Sequence, residues 1–206
     1  MGETIERFPL FPLGLVLLPR EVVPLHIFEE RYKQLIDECL NAESNFGMLW
    51  MGEQGLREVG CTAEVTQLLA RMEDGRMNIL VQGVRPFRLT RRIDEMAYPA
   101  GDIRLLDEEP GEDGEESGAE ARQGYADLVE HVTDTRPTEA DLEELDSYGM
   151  AATIALELEA KQELLELRSE PARLERLSSL FSEAHERYAY TEKAAERARS
   201  NGKLRS

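Results

Sequence analysis

The clearest candidate for metal chemistry is the pair His185-Glu186, which matches the first half of the zinc-binding motif H-E-x-x-H. In that motif a second histidine lies one helical turn after the first and completes the ligand pair. Here the corresponding position is Ala189, so the second ligand is missing. The other histidines, His26 and His131, are distant in sequence, and a structural hydrogen bond is the simplest prediction for His26. We therefore expect no metal and no cofactor.

Motifs for nucleotide and acyl-transfer chemistry are absent from the sequence. The Gly-Lys pair of a phosphate-binding loop occurs once, at Gly202-Lys203, without the preceding glycine or the following Ser or Thr of G-x-x-x-x-G-K-[ST]. Neither G-x-S-x-G nor G-x-G-x-x-G is present. Glu29 and Arg31 are better explained as a local ion pair or helix cap than as an acid–base pair. We predict no catalytic residue, because a hydrolase would need His26 beside a carboxylate or a thiol.

The best candidate binding segment is Phe46–Met51, which is apolar at every position except Gly47. A strand with one side in water should alternate with polar residues, so this one is either buried on both sides or exposes an apolar patch. Burial is the interpretation that the pattern favours. In the alternative, Met48 and Trp50 bind polypeptide, since a thioether and an indole suit adaptable recognition, and Phe11 extends the patch.

The charge balance argues against nucleic acid as a partner. The chain holds 42 acidic and 24 basic side chains, a net charge of −18, whereas nucleic-acid binding needs a basic surface. The longest apolar run, Phe8–Pro19, is too short and too rich in proline to span a bilayer. Cys39 and Cys61 form no C-x-x-C pair and are expected to be buried thiols. These features predict a cytoplasmic protein without a membrane partner.

The first half of the chain has the pattern of strands with one helix. Leu15–Leu18 is predicted to be a short buried strand, and apolar residues at helical spacing predict a helix near Phe28–Leu40. Asp74-Gly75 is a strong hairpin signal between two strand-like segments, because both residues tolerate positive φ.

The second half has the pattern of helices. Asp107–Glu120 holds eight carboxylates and no base, so it is predicted to be a solvated loop or linker. Thr138 is expected to cap one helix, and Pro171 to begin a long final helix that ends in a basic tail. We therefore predict a β-rich domain over residues 1–107, an acidic loop over 108–120 and a helical subdomain over 121–206.

Several motifs resemble one family in their order. The run from Phe8 to Tyr32, with its PLHIFEERY ending, resembles the start of the Lon substrate-binding domain, also called the Lon N-terminal domain. Asp74-Gly75-Arg76 and the following Arg85–Leu89 are similar to the family's DGR and RFR pattern, and Lys161–Glu166 resembles its KQ-LLE helix. The PLHIFEERY wording is more similar to stand-alone Lon-domain proteins than to full-length Lon proteases.

The resemblance implies an α+β fold, in which a PUA-like pseudo-barrel is followed by a C-terminal helical subdomain ending in a long helix. It also implies a non-catalytic module that binds unfolded or degron-bearing polypeptides, as an adaptor in protein degradation or quality control. Two alternatives stay open. One is a PUA-like module for a small molecule or RNA, which a basic groove would favour despite the acidic composition, and the other is an uncharacterised hydrolase.

The missing motifs lead to a first prediction. The purified chain is expected to hydrolyse neither ATP nor casein, because the sequence has no phosphate-binding loop and no nucleophile motif. Phosphate release and fluorescent-casein cleavage measure the two activities. Turnover that persists at constant specific activity through a second purification would contradict the prediction.

Overall fold

The computed structural model describes residues 2–93, 95–111 and 115–202, with side chains described as far as Tyr188. The strands are β1 (Thr4–Leu13), β2 (Val22–Ile27), β3 (Phe46–Gly52), β4 (Gly55–Leu56), β5 (Val59–Arg71), β6 (Met77–Ile93) and β7 (Ala100–Leu105). The helices are α1 (Glu30–Ala42), α2 (Glu115–Thr133), α3 (Glu139–Glu143), α4 (Ser147–Ala151), α5 (Leu158–Glu166) and α6 (Glu170–Gly202). The α+β class and the long final helix are as predicted.

Five of the strands close into a ring. They are hydrogen-bonded in the order β1-β7-β6-β5-β3, and a parallel pairing between β1 and β3 joins the two ends. Closure removes the free edges of those strands. The small strand β4 extends β3, and β2 joins the sheet through β6 alone in the described part of the chain. The inside is filled by apolar residues from facing strands, among them Leu10, Leu49, Phe87 and Ile103.

The predicted strand at Leu15–Leu18 is wrong. The first strand is β1, and the buried residues from Val16 to Leu18 that follow it have no regular structure. Buried backbone groups must find hydrogen-bond partners. Here the Leu18 N–H donates to a carboxylate oxygen of Glu21 at 3.0 Å. The buried Glu21 side chain therefore accepts a backbone hydrogen bond that a neighbouring strand was expected to accept.

The prediction that Phe46–Met51 is a buried strand is confirmed for all but its last residue. The side chains from Phe46 to Trp50 in β3 are buried, and Met51 is exposed. Because β3 lies between β1 and β5 in the ring, one face of the strand points inward and the other is covered from outside. This explains why its sequence does not alternate.

The hairpin at Asp74-Gly75 is confirmed. Gly75 has a φ of 81°, and its N–H donates to the Met72 carbonyl at 3.0 Å. β5 and β6 then pair along most of their length, with a register shift close to Pro86. Pro86 has no N–H to donate. Beside it, the Thr62 hydroxyl accepts a hydrogen bond from the Arg85 N–H at 3.1 Å.

The predicted helix near Phe28–Leu40 corresponds to α1, which begins two residues later than expected, at Glu30, and continues to Ala42. Its buried face contains Tyr32, Lys33, Leu35, Ile36 and Cys39. Phe28 lies outside the helix and is exposed. It therefore does not belong to the apolar helix face in which the sequence pattern placed it.

The chain forms two compact units. The β-rich unit consists of Met1–Glu109 and Tyr148–Arg168, and the helical unit of Pro110–Ser147 and Ser169–Ser206. The predicted division placed all residues after 120 in one helical subdomain, so it differs from these units at Tyr148–Arg168. In the β-rich unit Lys161 of α5 pairs with Glu21, and the Gln162 side chain donates to the Val59 carbonyl at 3.1 Å. These polar contacts hold α5 on the barrel.

In the helical unit α2 packs against α6. α2 begins at Glu115, so the predicted acidic loop over 108–120 is helical in its last part, and residues 112–114 lie outside the described chain. Carboxylates in a first turn interact favourably with the helix dipole, which explains a helix in so acidic a run. The predicted cap is confirmed, since Thr138 and Asp141 form a capping box. Pro171 lies in the first turn of α6, as expected.

The buried ion pair between Lys161 and Glu21 generates a stability prediction. Lys161→Met leaves the Glu21 carboxylate in a site where nine-tenths of its surface is covered, and breaking a buried pair typically costs about 3–5 kcal/mol. We expect a loss of that order in urea unfolding followed by the fluorescence of Trp50, which lies in the same unit.

The matched control is Arg71→Met, which breaks the exposed Arg71–Asp37 pair and should cost less than about 1 kcal/mol. Equal unfolding midpoints for the two variants would show that the buried pair does not hold α5 in place.

Candidate functional site

The three residues predicted to bind polypeptide are all buried. Phe11 and Met48 are partners in the β1–β3 register, and Trp50 is only 8% exposed. The Phe11 ring lies 4.0 Å from the ring of Tyr32, and the Arg57 guanidinium lies 5.3 Å from the Trp50 ring. The structure therefore brings the three residues together in the core. That they contact a partner stays a prediction, and their burial gives it no support.

The free apolar surface of the β-rich unit lies elsewhere. Among its described residues, the exposed large apolar side chains are Val22, Phe28, Met51, Leu68, Leu69 and Val84. Val22, the first residue of β2, is 50% exposed, and Phe28, which directly follows β2, is 60% exposed. Pro24, exposed between them, is paired in register with the half-buried Leu80 of β6. We call Val22, Pro24, Phe28 and Leu80 the β2 surface.

The main chain of β2 is also available at this surface. The Gly83 N–H donates to the Glu21 carbonyl at 2.9 Å, just before the Val22–Gln82 pair. Between two antiparallel strands, opposite residues that exchange backbone hydrogen bonds alternate with opposite residues that do not. Val23, Leu25 and Ile27 therefore bond to β6, and the backbone groups of Val22, Pro24 and His26 point to the opposite edge. No other strand pairs with that edge in the described residues.

Pro24 identifies β2 as an edge strand. A proline has no N–H, so within a sheet it is tolerated where the missing donor would have faced outward. Because Pro24 lacks an N–H, only Val22 and His26 of β2 offer backbone donors at this edge. Fewer donors limit edge-to-edge strand pairing between two molecules. The sequence contained this signal, because a proline inside a short strand-like run indicates an edge strand. The significance of Val22, Phe28 and Leu80 was missed, since Phe28 was assigned to the helix.

Local polar contacts fix the geometry at the end of β2. His26 Nδ1 lies 2.6 Å from the Asn78 side-chain oxygen across the β2–β6 pair, which confirms the predicted structural hydrogen bond. The His26 ring stacks on Phe28 with the centroids 5.9 Å apart. The predicted ion pair is also present, since Arg31 lies 2.8 Å from Glu29. These contacts hold Phe28 at the surface between β2 and α1.

Among the described residues, no carboxylate or thiol that a hydrolase would need makes a hydrogen bond with His26. Its polar contact is the Asn78 amide, which is neither a carboxylate nor a thiol. Both cysteines are buried and free, as expected, and burial raises the pKa of the Cys61 thiol to about 12. A thiol with so high a pKa is a poor nucleophile, because the thiolate is the reactive form.

Metal-binding clusters and membrane-spanning helices are both absent from the described residues. No group of three or more His, Cys, Asp or Glu side chains is arranged to hold a metal ion there. In the same residues no helix combines the length and apolar character needed to cross a membrane.

Comparison with known proteins decides the family. The family model described as the ATP-dependent protease La (LON) substrate-binding domain matches residues 7–183. The chain belongs to the Lon substrate-binding domain family. Lon protease from Brucella suis is 26% identical over 201 residues, which cover 89% of this chain and 24% of that protein. Lon protease 1 from Bacillus subtilis is 22% identical, over 97% of this chain and 28% of that protein.

Solved structures agree with the fold. A Lon N-terminal domain protein from Xanthomonas campestris has a TM-score of 0.65 at 25% identity, covering 85% of this chain and 98% of that chain. The N-terminal domain of a Mycobacterium avium complex Lon protease has a TM-score of 0.64 at 17% identity, covering 87% and 98%. The Lon-domain chain spans about a quarter of the length of the curated Lon proteases that it matches. The matched family is the substrate-binding part of Lon.

The burial of Trp50 generates a prediction for this Lon domain. Trp50→Ala should lower the free energy of unfolding by about 3–5 kcal/mol, because it leaves a large cavity in the core. The adjacent Met51→Ala is the matched control, since Met51 is exposed on the same strand and its truncation should change stability by about 0.5 kcal/mol or less. Circular dichroism during urea unfolding measures both. Near-equal stabilities would mean that Trp50 is not part of the core.

Proposed function

We propose that this chain is a non-catalytic module that binds unfolded or degron-bearing polypeptides through the β2 surface. The observation that carries the proposal is an edge strand with free main-chain groups and exposed apolar side chains at both ends. Membership of the Lon substrate-binding domain family supports polypeptide as the ligand class. An adaptor role in cytoplasmic protein degradation or quality control is part of the same proposal.

The main chain of β2 supplies recognition that does not depend on sequence. An extended polypeptide that lies along an open edge forms backbone hydrogen bonds, whatever its side chains are. At β2 it meets the N–H groups of Val22 and His26 and the carbonyls of Val22, Pro24 and His26. Unfolded segments have their own backbone groups free, whereas folded proteins have already paired theirs. The edge therefore selects for unfolded chains.

The side chains supply a preference for apolar segments. Val22 and Phe28 are half or more exposed. Pro24 lies between them along the chain, and Leu80 is its register partner on β6. Burying apolar area contributes about 25 cal/mol per Å², and aromatic side chains dominate many interfaces. With two backbone donors and four apolar side chains, the expected affinity is weak. Weak binding with little sequence preference suits a protein that binds many different unfolded polypeptides and releases them.

The test measures binding of fluorescently labelled, reduced and carboxymethylated α-lactalbumin, an unfolded protein, by anisotropy. The double variant Val22→Ser/Phe28→Ser should bind at least about tenfold more weakly, because burial of only one of the two side chains is already worth about 1.5 kcal/mol. Its thermal stability should be nearly unchanged, since both residues are exposed in the free protein.

The matched control is Val132→Ser, which removes an apolar side chain that is 69% exposed in the helical unit. This variant should bind like the parent. A second variant, Val22→Lys, places a charge at the edge of β2 and should also weaken binding, because edge lysines oppose strand pairing. If the double variant and Val132→Ser lose the same amount of binding affinity, the binding site lies outside the β2 surface. Absence of binding by the parent protein would contradict the proposed function.

A further inference from the structure

A second surface of the β-rich unit has the opposite chemistry. A cleft of about 500 Å³ lies beside Arg88 of β6 and the end of β7. Its lining includes Arg88, Arg104 and Arg168, together with two leucines and three acidic residues. Three arginines therefore share one cleft in a chain whose net charge is −18. The polypeptide-binding proposal makes no use of them.

Arg88 and Arg104 are directly opposite one another. They are register partners in the antiparallel β6–β7 pair, and both are exposed. Side chains at directly opposite positions project from the same face with Cβ atoms about 5 Å apart, where like charges destabilise the sheet. Two arginine side chains therefore start from directly opposite positions on one face of the sheet, an arrangement that costs stability.

The carboxylates near this pair do not neutralise it. Arg88 makes one ion pair, at 3.3 Å, with Glu58, whose side chain is largely exposed, and such pairs exchange readily with solvent. No carboxylate of the described residues lies within ion-pair distance of the Arg104 guanidinium, although the chain has 42 acidic residues to supply one. An exposed arginine pair of this kind is suited to an anion from solution.

The rest of the cleft limits which anion fits. Arg168 is fixed to the wall, because it donates to the Asp107 carbonyl at 2.6 Å and lies 3.3 Å from a Glu109 carboxylate oxygen. Leu105 and Leu106 provide apolar surface beside the charges. Asp107 and Glu109 are paired with Arg85 and Arg168, which leaves Arg88 and Arg104 to meet a compact anion. A long polyanion such as RNA would have to run past all the acidic side chains of this wall. A compact ligand with one strongly charged group and an uncharged part is therefore favoured.

We propose that this cleft binds a small molecule through a phosphate group held by Arg88 and Arg104. Guanidinium groups match phosphate oxygens in bidentate geometry. Two adjacent positive charges complement a phosphate dianion, whose two charges lie on one group, better than carboxylates that each carry one charge, even when a molecule such as succinate has two of them. The cleft volume is within the range of small-molecule sites, so it holds the rest of the ligand beside Leu105 and Leu106.

The test is isothermal titration of the full chain at low ionic strength with three probes: inorganic phosphate, adenosine monophosphate and succinate. The two phosphates should bind and succinate should not, up to roughly 10 mM, where even millimolar affinity saturates a site. Arg88→Gln and Arg104→Gln should each weaken phosphate binding about tenfold or more, because each removes a charged hydrogen-bond donor.

The matched control is Arg76→Gln, since Arg76 is as exposed as Arg88 and likewise paired with one exposed carboxylate. It should leave phosphate binding unchanged. Without ligand, Arg104→Gln should unfold at the same or a higher urea concentration than the parent, because it relieves repulsion. A lower midpoint for Arg104→Gln would assign it a structural role and overturn the proposal.

Three further results would overturn it. They are no phosphate binding by the parent, equal phosphate binding by the Arg88, Arg104 and Arg76 variants, and tighter binding of succinate or a short single-stranded RNA than of adenosine monophosphate. None of these results bears on the β2 surface, whose variants are tested with unfolded protein.

Discussion

The position of β2 depends on one buried carboxylate. Glu21 lies in the irregular segment between β1 and β2, where it accepts a hydrogen bond from the Leu18 N–H and pairs with Lys161 of α5. The first contact gives the Leu18 N–H a hydrogen-bond acceptor where no neighbouring strand supplies one. The second connects the barrel to α5, a helix distant in sequence. Its own carbonyl accepts from the Gly83 N–H and so begins the β2–β6 ladder. The β2–β6 register begins at Glu21. This register directs the backbone groups of Val22, Pro24 and His26 to the open edge.

The barrel thus carries two surfaces that differ in physical character. The β2 surface consists of apolar side chains and unpaired backbone, which favour an unfolded polypeptide. The cleft beside β6 and β7 consists of arginines on a strongly acidic protein, which favour a compact anion. Both use β6, which pairs with β2 over residues 77–82 and with β7 over residues 87–93. One long strand therefore supports both surfaces, although its two ends have different partners.

Much of the fold was predictable because local patterns agree with it. The Asp74-Gly75 hairpin, the Thr138 cap and the doubly buried β3 each follow from residue types over a few positions. Contacts between distant residues were not predictable. The sequence alone does not show that Glu21 meets Lys161, or that Arg88 faces Arg104, because register is set by the whole sheet. For the same reason Phe11, Met48 and Trp50 were candidates for a surface, whereas the folded chain buries all three, with the Phe11 ring against Tyr32 of α1.

The central claim is that an unfolded polypeptide pairs with the open edge of β2, and amide hydrogen exchange tests it most directly. The N–H groups of Val22 and His26 point to that edge, whereas those of Val23, Leu25 and Ile27 are already bonded to β6. In the free protein the first two should exchange quickly. With saturating carboxymethylated α-lactalbumin they should slow markedly, while the other three change little. Unchanged exchange at Val22 and His26 in a complex shown to form would contradict the account.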